Sequence, residues 1–168
     1  MNAKNAILET PYGTRDLLPA DVIEMRYLDQ IFSSWGYDEI ATPTIEHLET
    51  LVSRIQEEND LFILSGNKNR LLALRNEMTT PIARLVSSRL KDFPAPLKLS
   101  YIGNVFRIEQ TQEGRQCEFH QAGVELMGCN TAAADAEIIA LAIEAVLACG
   151  IKEFQIHIGQ VNFLKGMM

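Results

Sequence analysis

The chain is short of cysteine, of positive charge and of long apolar runs, and each shortage removes a class of protein. Its three cysteines, Cys117, Cys129 and Cys149, are an odd number without metal-ligand spacing. They build no disulfide framework and read as the reduced thiols of a cytoplasmic protein. His47 and His157 have no Cys, Asp or Glu at metal spacing, so no metal is assigned. Lys and Arg together number 15 against 22 acidic residues, a net charge of −7. That balance argues against a broad nucleic-acid surface and leaves room for a small basic pocket. No apolar run reaches the length of a membrane span, and the first residues lack a signal-peptide core. Internal repeats and low-complexity tracts are missing as well.

What is present is an ordinary globular composition. The 168 residues are 47% hydrophobic and 22% charged, enough for one domain with a real core. Residues 1–10 read as a flexible arm and 11–168 as the domain. Pro11 to Pro19, PYGTRDLLP, is a shaped loop punctuated by Pro, Gly and Asp. From Asp21 to Trp35 the residues Met25, Leu28, Phe32 and Trp35 recur at helical spacing, and Gly36 is a natural stop. Tyr37 to Thr42 reads as a short strand that Pro43 interrupts. Glu46 to Ile55 reads as a helix with Leu48, Leu51, Val52 and Ile55 on one stripe. Leu61 to Arg75 reads as a hairpin turning at residues 66–69. Thr79 or Thr80 can cap the next helix, with Pro81 in its first turn and Ile82, Leu85, Val86 and Leu90 inward. Thr131 caps a long alanine-rich helix to about Ala148, and Phe154 to Ile158 reads as a last strand. Hairpins between helices make an α+β fold with a largely antiparallel sheet.

The most informative stretch is Tyr101 to Gly128, two strands joined by a polar loop. Side chains alternate faces along a strand, so Cys117, Phe119, Gln121, Gly123 and Glu125 share one side. That side offers an aromatic plate, an amide, a gap and a carboxylate. Ala122, Val124 and Leu126 form the opposite, core face, where His120 reads as an ordinary structural histidine. Arg107 and Glu109 share a side in the first strand. A sheet built this way carries a polar pocket on its open face. Arg107 presents a planar fork for a carboxylate or phosphate. Glu77, Thr79 and Gln121 are acceptors suited to an ammonium group, and Glu125 can accept from an imidazole N–H.

Several segments together resemble the histidyl branch of the class II aminoacyl-tRNA synthetase fold. PYGTRDLLP resembles its N-terminal loop, and WGYDEIATPTIE its motif 1 with Pro43 as the motif proline. LRNEMT, Leu74 to Thr79, resembles a substrate loop, and NVFRIEQTQEGRQCEFHQAGVE resembles motif 2. The resemblance runs from Pro11 over nearly the whole chain. It implies a class II synthetase-like antiparallel sheet flanked by helices, here an incomplete N-terminal part of the domain carrying motifs 1 and 2. Within that branch RNEMTTPIAR and FRIE are closer to the synthetase-like regulatory subunits of short-form ATP phosphoribosyltransferase, the first enzyme of histidine biosynthesis. Synthetases typically show RPEGT and FRYE there. Asn76 departs from the proline of both groups, and Cys117 stands where the family usually has arginine.

That resemblance implies a histidine pocket. Arg107 would hold the carboxylate, Glu77, Thr79 and Gln121 the α-amino group, and Glu125 the imidazole, with Gly123 leaving room for the ligand. Glu109, Arg115 and Phe119 would serve a nucleotide. It implies a regulatory subunit without catalysis or cofactor of its own. Its expected partners are a small catalytic phosphoribosyltransferase subunit, a second copy through motif 1, and histidine as effector. The family's second arginine and glycine-rich motif 3 do not occur up to Met168, so no independent histidyl-adenylate synthesis is expected. The alternatives are a catalytic synthetase fragment and an assembly module with a dead pocket. Single residues also have ordinary structural explanations: Thr79 as a helix cap, Phe119 as core, Arg107 in a cross-sheet pair, Cys117 as a small hydrophobe.

Overall fold

The computed structural model describes residues 10–52, 61–66, 70–108 and 116–158. The expected arm up to residue 9, the end of the second helix, the hairpin tip at 67–69, Glu109 and Arg115 fall outside the described residues.

The first helix, α1 (Pro19–Ser34), starts where the Leu18 N–H donates to the Asp21 carboxylate at 2.7 Å. It ends at Gly36, which sits in the left-handed region at φ 80°. The strand expected over Tyr37 to Thr42 shrinks to β1 (Asp38–Glu39), parallel to β5 (Leu97–Phe106). Its continuation is diverted. The Thr42 and Pro43 carbonyls turn to the Arg75 guanidinium, at 2.7 Å and 3.4 Å, instead of to a strand neighbour.

The helix expected from Glu46 is corrected. Ile45–His47 form strand β2, and helix α2 spans Leu48–Val52. β2 pairs antiparallel with β4 (Leu71–Leu74), Glu46 opposite Ala73, and β4 pairs with β3 (Ile63–Ser65). Glu46 belongs to a strand because its carboxylate is buried and gripped by Arg84 of α3 (Thr79–Arg89) through three contacts of 2.6–3.0 Å. A charge-assisted fork of that kind overrides the local helical stripe.

The other sheet has the order β1-β5-β6, with β6 (Glu118–Met127) antiparallel to β5 from Leu97↔Met127 to Phe106↔Glu118. One face packs under α1 and α4 (Ala132–Ala148): Ile102, Val124 and Leu126 meet Phe32, Tyr37 and Leu141. Ala122, expected on this core face, is exposed, whereas Val124 and Leu126 further along β6 pack against the helices. Tyr37 and Lys98 both reach Glu137 of α4, at 2.8 Å and 2.7 Å, and lock that helix in place. Thr131 caps α4 as expected, its hydroxyl accepting from the Ala134 N–H at 3.2 Å. The opposite face packs Leu99, Tyr101 and Val105 against Met78 and Ile82 at the start of α3.

The final expected strand, Phe154 to Ile158, joins no ladder among the described residues. Its alternation is strand-like, but a strand needs a hydrogen-bonded neighbour, and Ile156 and Ile158 stay 41% and 73% exposed.

Candidate functional site

The α3 face of the larger sheet carries the polar groups. β5 and β6 place Tyr101 opposite Gly123, and Gln121 and Glu125 flank that glycine on β6. Above them the segment Arg75 to Met78 leads into α3. Arg75 is buried and holds this segment in place, its Nε donating to the Asn104 carbonyl at 2.8 Å while Nη1 binds Thr42. Burial lowers the Arg75 pKa, and the Glu46 charge opposes that shift. A Cβ on Gly103 would come 2.6 Å from Arg75 Nη2, so a larger residue there would press on the guanidinium held by Asn104 and Thr42.

Glu77 caps α3. Its carboxylate oxygens accept from the Thr79 and Thr80 N–H groups at 2.7 Å and 2.8 Å. Thr79 is therefore the first helical residue and not the cap; Met78 occupies the cap position without a side-chain bond. This frees the Thr79 hydroxyl, which donates to Glu125 Oε1 at 2.8 Å. With its proton committed to a carboxylate, that oxygen presents lone pairs outward. Gln121 Nε2 donates to the Tyr101 hydroxyl at 3.3 Å. Arg107 Nε donates to the Asn76 carbonyl at 2.9 Å, and its guanidinium lies 5.2 Å from the centre of the Phe119 ring.

Glu77, Thr79, Gln121 and Glu125 thus gather around Tyr101, and Asn76 connects them to Arg107 and Phe119. Two acceptors here, Asn76 Oδ1 and Gln121 Oε1, are buried with no hydrogen-bond partner among the described residues. Arg107 forms no ion pair among the described residues. Two carboxylates, a guanidinium bonded to the same loop, and two buried acceptors without a partner among the described residues are groups that suit a small zwitterion.

Tyr101 is the site residue that sequence reasoning missed. Its parity with Arg107 along β5 was the available signal. Its phenol is pushed up to about 12, first by burial and then by the Glu125 and Glu77 charges, with the Gln121 bond opposing. The role expected of Gly123 is corrected too. An added Cβ would lie 2.5 Å from the Tyr101 hydroxyl oxygen, so the gap is filled by Tyr101 and not left for a ligand. Cys117 is buried beneath Gly13, whose carbonyl accepts from the Cys117 and Glu118 N–H groups at 2.7 Å and 3.1 Å. A Cβ on Gly13 would come 2.5 Å from Cys117 Sγ, which makes this cysteine a packing residue. A hollow of about 450 Å³ opens on the helix-bearing side, between the N-terminal loop, α1 and the start of β6, and shares Phe119 with the site.

This sheet, with the capped helix above its polar strand face, is a class II synthetase-like α+β domain. A family model described as Histidyl-tRNA synthetase matches residues 13–168, and the chain belongs to that family. The ATP phosphoribosyltransferase regulatory subunit of Moorella thermoacetica is 46% identical over 99% of this chain and 44% of that protein. The crystal structure of an ATP phosphoribosyltransferase regulatory subunit/histidyl-tRNA synthetase from Bacillus halodurans C superposes with a TM-score of 0.76 at 43% identity, over 89% of this chain and 40% of the other. Apo S. aureus histidyl-tRNA synthetase gives 0.68 at 29% identity, over 86% of this chain and 35% of the other. The chain spans less than half the length of the curated relatives it matches.

Proposed function

We propose that this chain binds free histidine and forms the effector-binding part of a regulatory subunit of ATP phosphoribosyltransferase, without catalysis of its own. The observation that carries the reading is the continuous chain of contacts from Arg107 through Asn76, Glu77 and Thr79 to Glu125, with two buried acceptors that have no partner among the described residues. Histidine supplies what that arrangement lacks. Its carboxylate goes to Arg107 and its ammonium group to Glu77, the Thr79 hydroxyl and Gln121. Its ring N–H goes to Glu125. A ligand lacking those donors leaves buried acceptors unpaired and is rejected.

The relatives named as regulatory subunits support the rest of the reading: a cytoplasmic complex with the small catalytic subunit, in which histidine favours one arrangement over another. A second copy docks through the motif 1 region; Ile45, Ile63 and Leu71 of the smaller sheet, 47%, 47% and 55% exposed, offer apolar surface for it. Adenylate synthesis is the weaker reading. Cys117 under Gly13 has nothing to offer a phosphate, and one face of the Phe119 ring carries the Arg107 guanidinium instead of a base. Co-purification with the small catalytic subunit, with and without histidine, tests the assignment. A complex whose phosphoribosyl transfer responds to histidine is expected. No complex, together with histidine-dependent pyrophosphate exchange by this chain, overturns it.

A further inference from the structure

Gln121 ends in an amide with a donor end and an acceptor end of nearly the same shape. A pocket for an ammonium group works only if the oxygen faces the ligand, so something must hold the amide the right way round. Nothing on β6 itself does this. Across the ladder, Tyr101 stands opposite Gly123, and its hydroxyl sits in the space that any larger residue at 123 would fill, 2.5 Å from the position of a Cβ there. A hydroxyl both donates and accepts, so its own direction has to be fixed as well. The Glu125 and Glu77 charges act on this phenol, and a neighbouring carboxylate favours an O–H dipole that points to it. The oxygen lone pairs are left for the Gln121 NH2, which donates at 3.3 Å. The amide oxygen is then the buried atom without a partner among the described residues.

We infer that Tyr101 is a positioning residue of this pocket, its hydroxyl taking the NH2 end of Gln121 so that the amide oxygen is the atom offered to a ligand's primary ammonium group. Without the hydroxyl the amide is free to turn, and its NH2 end then opposes the ammonium. Tyr101 therefore sets preference for α-amino ligands over deamino analogues of the same shape. The inference rests on the histidine-binding reading for the identity of the ligand, but the orientation of Gln121 does not depend on it.

Tyr101→Phe keeps the ring and its packing against Met78 and Ile82 while removing the one oxygen. Two measurements on the full chain test the idea. In nitrogen-15 spectra, the side-chain amide signal that Gln121→Glu deletes should be slow to exchange with solvent in the unchanged protein, and should shift and exchange faster in Tyr101→Phe. In calorimetric titrations, L-histidine should bind about tenfold more weakly to Tyr101→Phe, the loss of one hydrogen-bonded orientation. Imidazolepropionic acid, which lacks the amino group, should bind more weakly than histidine and to the same extent in both proteins, measured by displacement at high concentration. A purely structural loss would weaken both ligands together, and that result overturns the inference. An unchanged Gln121 amide signal in Tyr101→Phe also overturns it. If the amide responds as expected while the unchanged protein takes up no histidine, the orientation stands and the histidine reading falls.

Discussion

Gly123→Ala makes the tightest steric demand in the site. The backbone there tolerates alanine, since Gly123 is not among the positive-φ glycines, so the cost is pure crowding. The new methyl would sit 2.5 Å from the Tyr101 hydroxyl oxygen and 2.7 Å from the ring carbon bearing it. Ordinary carbon contacts are about 3.5–4.0 Å, so the ring has to withdraw by about 1 Å. It has little freedom to do so, being 5% exposed and packed with Met78, Ile82, Leu99 and Val105. Overpacking of this kind costs about 1–3 kcal/mol. For a chain of this size each kcal/mol lowers the melting temperature by about 2–4 °C, so the expected drop is about 2–12 °C. Urea and thermal unfolding of the single variant measure the loss. Adding Tyr101→Phe should recover a fraction of it, because the ring carbon still obstructs; adding Tyr101→Ala should abolish the Gly123→Ala increment, at the separate cost of a cavity. A Gly123→Ala protein within about 0.5 kcal/mol of the parent, the usual range for an inconsequential substitution, would refute the packing argument.

Three other outcomes follow from the same structure. Arg84→Met should destabilise the fold by about 3 kcal/mol in urea unfolding, since Glu46 is left as a buried carboxylate without its partner; the partial exposure of Arg84 keeps the figure at the low end for such pairs. The Glu137 carboxyl is held below its usual range, first by Lys98 and then by Tyr37. A depressed folded pKa gives stability that is present above the unfolded value of about 4.3 and is lost as pH falls through the folded one. Glu137→Gln should therefore flatten the acid limb of the stability profile while leaving the profile between about pH 6 and 8, below the range in which Tyr37 titrates, parallel to the parent. Thr79→Val, which keeps shape and deletes the donor to Glu125, should weaken histidine binding about tenfold in calorimetry with little change in melting temperature.

The two long strands were legible from Tyr101 onward because side chains alternate faces along a strand, but Leu97–Ser100 of β5 were not, since Leu99, Ser100 and Tyr101 are buried in a row; α1 was legible from its helical apolar spacing and the Gly36 stop, and α4 from its Thr131 cap. Glu46 was misread for a physical reason. What makes it a strand residue is Arg84, 38 residues away, and no local window contains both. Glu77 is legible as an acceptor but not as the cap of α3, because Thr79 and Thr80 carry the side chains that ordinarily cap a helix. Tyr101 was hidden because parity gives the face of a strand residue, whereas its place in the site depends on register, which puts it opposite the glycine of the neighbouring strand. Phe154 to Ile158 shows the converse: a strand-like pattern that joins no ladder among the described residues.

The pocket proposed around Tyr101 is tested most directly by titrating free L-histidine into this chain and into Glu125→Gln, with each protein's fold verified by its unfolding midpoint. Saturable heat at one site per chain, strongly reduced in Glu125→Gln, is the predicted result. No heat from the folded parent, or equal heat from both proteins, would contradict a pocket built to grip histidine.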